Sequence, residues 1–168
     1  MEATDFAALV LRIALGSVFL AHGIKHARGR EKTTKWFGSI GFRKPGLQWM
    51  ASTATEIGVG VLLLVGLLTS LAAAAVVGIM FVAFWSVHRP VGFWVTARPD
   101  EGWEYVYTLS MAAIALAAIG PGSWSVDAAF GIAEDFDGWL GVLIAVVGIP
   151  ISIGQLATFY RPDKASQS

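Results

Sequence analysis

Residues 11–26 read LRIALGSVFLAHGIKH, an apolar run with Arg12 near its start and His22 and His26 near its end. At about 1.5 Å of rise per residue, the run and its flanks are long enough to cross roughly 30 Å of hydrocarbon as one helix. A charged side chain near mid-bilayer costs about 2.5–3.5 kcal/mol on insertion scales, so it normally faces a bundle interior and a partner. The stretch therefore predicts a spanning helix with other spans packed around it.

The rest of the chain agrees. Hydrophobic residues make up 55% of the 168 and charged residues 14%, where a soluble domain carries roughly 25% charged residues. Mean hydropathy is +0.64. Apolar runs near 5–24, 47–68, 70–87, 103–120 and 139–159 are long enough, or nearly so, to span. The second and third are joined by little more than Thr69 and Ser70, which predicts a tight antiparallel hairpin. The expected fold class is all-α, a polytopic membrane helix bundle. Formal net charge is zero and there is no cysteine; the first gives a nucleic-acid partner no support, and the second excludes disulfides and dithiol exchange. Glu2 and Asp5 stand where a signal peptide would be basic, so the first run reads as a retained helix.

Loop charge sets an expected orientation. Eleven of the twelve Lys and Arg residues fall after the first run, after the third, or in the tail, and so on one side of the bundle. The other side carries Glu2, Asp5, Asp127, Glu134, Asp135 and Asp137. The positive-inside rule then places the amino terminus outside and the carboxyl terminus in the cytoplasm. Tryptophans favour membrane–water interfaces, and Trp36, Trp49, Trp85, Trp94 and Trp103 fall at the basic edge, Trp124 and Trp139 at the acidic edge. The stretch KTTKWFGSIGF is expected to lie in the interface plane, with Trp36, Phe37 and Ile40 on one side and Lys32 and Lys35 towards headgroups.

Two polar clusters are candidate sites. Arg12 and Glu56 are charges inside spans, offset by about four residues, roughly 6 Å, if the spans are centred on one another. They are expected either to form a buried ion pair that fixes register, to hold a small anionic or quinone-like headgroup, or not to meet. At the basic end, His22, Lys25 and His26 close the first run, His88 and Arg89 the third, and Glu104 and Tyr105 open the fourth. His22 and His26 have a spacing used by metal sites, but no further ligand motif accompanies them. Haem or a metal is therefore disfavoured, and an interfacial hydrogen-bonding cluster facing His88 and Glu104 preferred; a proton-linked role stays open because histidine titrates near neutrality. Gly16, Gly23, Gly58, Gly60 and Gly66 are expected to let helices approach closely. In IGPGSWSVDAAFG, Gly-Pro-Gly should end the fourth span and Asp127 cap a short helical turn. Pro150 is expected to kink the fifth span.

LVLRIALGSVFLAHGIKH, TEIGVGVLLLVGLLTSLAA, the loop from His88 to Glu104 and GPGSWSVD together resemble the DoxX family of small bacterial and archaeal membrane proteins, over roughly residues 9–131. The resemblance rests on the order and spacing of Arg12, His22, Gly23, Lys25, Glu56, Gly66, His88, Glu104 and Asp127. It implies a four-helix membrane core (1–137), to which 138–168 adds a fifth transmembrane helix and a cytoplasmic tail. It also implies a bacterial or archaeal cytoplasmic membrane, and kinship with proteins linked to thiosulfate:quinone oxidoreductase subunits and to a membrane complex of superoxide dismutase and a sulfurtransferase. No catalytic assignment comes with it. The expected function is an accessory or anchoring subunit of a redox-linked assembly in quinone or thiol/sulfur metabolism. Arg12, His22, Lys25, Glu56, His88 and Glu104 are then its ligand-binding or buried polar residues, quinone its candidate cofactor, and membrane or cytoplasmic proteins, or a second copy, its partners. A small transporter or lipid-binding protein and a ligand-free assembly factor are the alternatives.

Because the chain has no cysteine of its own, orientation can be read from single cysteines. In intact cells an impermeant maleimide should label Ala133→Cys and spare Ser39→Cys; the opposite pattern would invert the orientation.

Overall fold

The apolar runs fold as helices. The computed structural model describes residues 2–162, so Lys164 of the basic tail lies outside the described residues. The helices are α1 (Ala3–Arg28), α2 (Arg30–Ser39), α3 (Pro45–Val65), α4 (Thr69–Ala83), α5 (Glu104–Ile119), α6 (Val126–Ala129) and α7 (Gly138–Phe159), and α4 ends in a π-helical turn at Phe84–His88. Four of them, α1, α3, α4 with its π-turn, and α7, are long and apolar enough to cross a membrane. α5 is apolar but has 16 residues, about 24 Å of rise. The protein is an all-α membrane helix bundle. Pro150 lies inside α7, which continues past it.

Two helix pairs organise the bundle, and glycine makes both possible. In the α1/α3 pair, a Cβ at Gly16 would lie 3.0 Å from Leu64, one at Gly60 2.6 Å from Leu20, and one at Gly23 2.7 Å from Ile57. The paired numbers each sum to 80, so the helices are antiparallel and in one fixed register. Gly58 meets nothing within 4 Å and takes no part. In the α4/α7 pair the helices run parallel: Ala74 and Gly78 lie against Gly148, Gly78 against Ser152, and the Ser152 hydroxyl donates to the Gly78 carbonyl at 2.8 Å. α5 packs against α1, α4 and α7. The core, with Leu15, Phe19, Leu63, Val76 and Leu116 almost fully buried, runs along these contacts.

Loops close both ends. The α3–α4 turn is at Gly66–Leu68, slightly earlier than expected, because Gly66 takes a left-handed conformation (φ 70°) and Thr69 and Ser70 open α4. At the basic end, Phe37, Phe42 and Leu156 form a second apolar cluster. There the Arg43 N–H donates to Phe159 O at 2.8 Å and the Arg161 N–H to Gly41 O at 2.7 Å, tying the end of α7 to the α2–α3 loop. Phe37 therefore points into the bundle while Trp36 stays 41% exposed, so α2 splits the apolar side expected of it.

Gly60→Val should destabilise the protein by about 1–3 kcal/mol in detergent unfolding followed by circular dichroism, whereas Gly58→Ala should not. Equal losses would remove the close-packing account of the α1/α3 register.

Candidate functional site: a buried carboxylate between α1 and α3

The register of α1 against α3 decides which polar residues meet. Glu56 lies level with Gly23, where a Cβ would be 3.1 Å from Glu56 Cβ. Arg12 is eleven residues away from Gly23 on α1, about 16 Å along the helix, beyond the reach of its side chain. The expected Arg12–Glu56 pair is therefore not formed. Centring the spans on one another would pair residues summing to about 72; the observed sum of 80 slides the partner by eight residues, about 12 Å.

Glu56 has His26 as its partner instead. The carboxylate is buried, and His26 Nδ1 lies 2.9 Å from Oε2. The contact lacks hydrogen-bond alignment, so Oε2 receives no aligned donor among the described residues. Ser52, one helical turn earlier, donates its hydroxyl to Oε1 at 3.2 Å and lies 3.5 Å from His26 Nδ1. Thr53 shares the Glu56 face of α3 and buries a hydroxyl with no partner among the described residues. The Trp49 indole N–H donates to the His26 carbonyl at 2.9 Å and fixes the end of α1. His26 is 20% exposed, so the site is open at the imidazole and closed at the carboxylate. An orphaned acceptor of this kind is costly in a low-dielectric interior and becomes favourable once a donor reaches it.

Arg12 is at the other end. α1 overhangs the α3–α4 turn, and the segment 120–137 fills the overhang: Ser123 N–H donates to Asp5 at 2.8 Å, and Gly122 lies against Ala8. Arg12, 1% exposed, donates through Nη2 to Trp124 O at 2.6 Å and packs on Gly66. Its Nε and Nη1 have no partner among the described residues. Asp127 does not cap its own helix; Ser125 does, accepting from Ala128 N–H at 3.1 Å. Asp127 caps α4, accepting from Leu68 N–H (2.8 Å), Thr69 N–H (3.0 Å) and the Thr69 hydroxyl (2.9 Å), while its own N–H donates to Gly66 O at 2.9 Å. These bonds hold the left-handed Leu68 (φ 50°).

The histidines and Glu104 do not form one cluster. His22 and Lys25 are exposed, and the His22 ring meets only the edge of His26, 6.4 Å between centroids. His88 is buried beside Tyr105, with Nδ1 2.7 Å from Glu101 O and Nε2 2.7 Å from Tyr105 Oη. A carbonyl only accepts, so Nδ1 donates; in the neutral ring Nε2 then accepts from the tyrosine hydroxyl. Glu104 caps the loop before it, accepting from Val95 N–H at 3.0 Å. Among the described residues no three His, Asp or Glu side chains are placed to hold a metal ion. Sequence reasoning missed the roles of His26, Ser52 and Asp127. The i, i+4 spacing of Ser52 and Glu56 was a signal for the second; nothing local announced the other two.

Residues 7–89 match the DoxX family model. The chain carries a DoxX-family domain. That match takes in α1 from residue 7 onward and α2 to α4, and with them Arg12, His26, Ser52, Glu56 and His88; the resemblance seen in residues 90–131 lies beyond it. The chain is also similar to the Bacillus subtilis (strain 168) protein named "Putative oxidoreductase CatD", with 35% identity over 77 residues, 46% of this chain and 52% of the relative. The match thus spans about half the length of that relative. No solved structure matches. With its apolar helices and its DoxX match, the chain is a multi-pass membrane protein.

A double-mutant cycle tests the pairing. His26→Gln and Glu56→Gln should couple by roughly 0.5–3 kcal/mol in detergent unfolding, and Arg12→Gln and Glu56→Gln should add within about 0.5 kcal/mol. Coupling in the second cycle and not the first would restore the Arg12–Glu56 pair.

Proposed function

We propose that this protein is an integral accessory or anchoring subunit of a redox-linked membrane assembly and holds the head of a quinone-type lipid at His26 and Glu56. One observation carries the reading: a buried carboxylate oxygen without an aligned donor, next to an imidazole that is partly exposed. A quinol hydroxyl that enters past the exposed face of His26 supplies the missing donor to Glu56 Oε2, and a quinone carbonyl accepts from an N–H of the His26 ring. The redox setting draws on the DoxX match and on the printed name of the Bacillus relative. Within this reading the chain sits in a bacterial or archaeal cytoplasmic membrane, amino terminus outside, and its basic end faces the cytoplasmic partners of the assembly.

The test is purification in mild detergent with mass spectrometry and redox difference spectra of what is retained. Wild type should carry a quinone and a redox partner protein, and Glu56→Gln should retain quinone with affinity lowered roughly 10-fold or more, the effect of losing one charge-assisted hydrogen bond. An inert, ligand-free chain, or quinone retention unchanged by Glu56→Gln, would overturn the reading.

A further inference from the structure

The corner where α1 leaves the bundle and α2 begins carries a feature that neither the carboxylate site nor the packing uses. Arg28, Gly29, Arg30, Glu31, Lys32 and Lys35 line a shallow, open groove of about 590 Å³. Four cations there face one carboxylate, and that carboxylate is spoken for: Lys35 Nζ lies 2.7 Å from Glu31 Oε1. Arg30 stacks over the Trp49 ring, 4.8 Å from its centroid, on the same indole that bonds the His26 carbonyl. Arg28 and Lys32 are exposed, and neither makes an ion pair among the described residues. The groove also receives the amino-terminal end of α2, whose first turn has no side-chain cap, beside the carboxyl-terminal end of α1 at the same Gly29, so its positive character comes from the side chains.

The position of the groove identifies its ligand. α2 is anchored to the bundle by Phe37 and leaves Trp36 exposed beside the groove residues Lys32 and Lys35, the composition of a helix lying at the headgroup level. Cations at that depth meet phosphate esters whose chains run along the apolar faces of the bundle. We propose that the α1–α2 corner is a binding site for the phosphate headgroup of an anionic phospholipid, with Arg28 and Lys32 as its free cations and α2 as its floor. Phosphate is the recognised group, and the bilayer, not free phosphate, is its source. The site is independent of the quinone reading and stands or falls apart from it.

The test uses the full chain in nanodiscs, comparing phosphatidylglycerol with phosphatidylcholine, and native mass spectrometry of retained lipid. Wild type should retain phosphatidylglycerol selectively. Arg28→Gln with Lys32→Gln should lower that affinity roughly 30-fold, about fivefold per charge, with the melting temperature in phosphatidylcholine unchanged, which shows that the fold is intact. Arg89→Gln with Arg98→Gln, which removes two charges from another loop of the same end, should leave retention unaltered. Equal losses in the two double variants, no preference between the lipids, or equal binding of inorganic phosphate in detergent would each overturn the proposal.

Discussion

The contact between α1 and α3 is the constraint on which the other features depend. Glycines at 16, 23 and 60 bring the two backbones so close that an added Cβ would overlap the facing helix. In lipid there is little hydrophobic drive between helices, and such contact is a main source of their attraction. It also admits one register only. Sliding α1 by a turn would put side chains where the glycines are, and the pairing of 16 with 64, 20 with 60 and 23 with 57 is the one in which none collides.

Each polar group in the bundle inherits its surroundings from that register. Glu56 comes level with the last turn of α1, so its partner is a titratable imidazole near the rim and not a permanent cation in the interior. Arg12 is carried above the α3–α4 turn, where the loop before α6 covers it. The two charges thus stay apart, and each meets a different solution to burial: the carboxylate sits beside His26 and Ser52 with one oxygen uncommitted, and the guanidinium sits under Trp124 near Asp127. The first leaves chemistry available to a ligand. The second is held to the loop before α6 through Nη2 alone, since Asp127 spends its oxygens on the start of α4.

α7 adds to the residues that match DoxX and meets α3 one turn before Ser52, where Gln155 Nε2 donates to Gln48 Oε1 at 2.9 Å. It lies in parallel along α4 through Gly148, Ser152 and the Gly78 carbonyl, and its end is tied to the α2–α3 loop. That tie braces the basic end from behind, steadying α2, which bears the cationic groove. The buried His88–Tyr105 pair does similar work at the start of α5, with both ring nitrogens satisfied and no valence left for a ligand.

The sequence by itself determined the helices, their number and approximate ends, the segregation of basic residues to one end and the tryptophans at the rims. These are local quantities: the length of an apolar run and the position of charges beside it follow from what one segment costs in hydrocarbon. It also singled out Arg12 and Glu56 as charges inside the bundle, because a charged residue in such a run has nowhere else to go, whereas it placed His88 at the interface and the structure buries it. The tertiary structure alone decided their partners. A partner depends on the axial register of two helices, and a register is fixed by close packing between glycines and the side chains opposite, a property of neither segment alone. Centring the spans gave Glu56 to Arg12, and a displacement of about 12 Å along the axis gave it to His26.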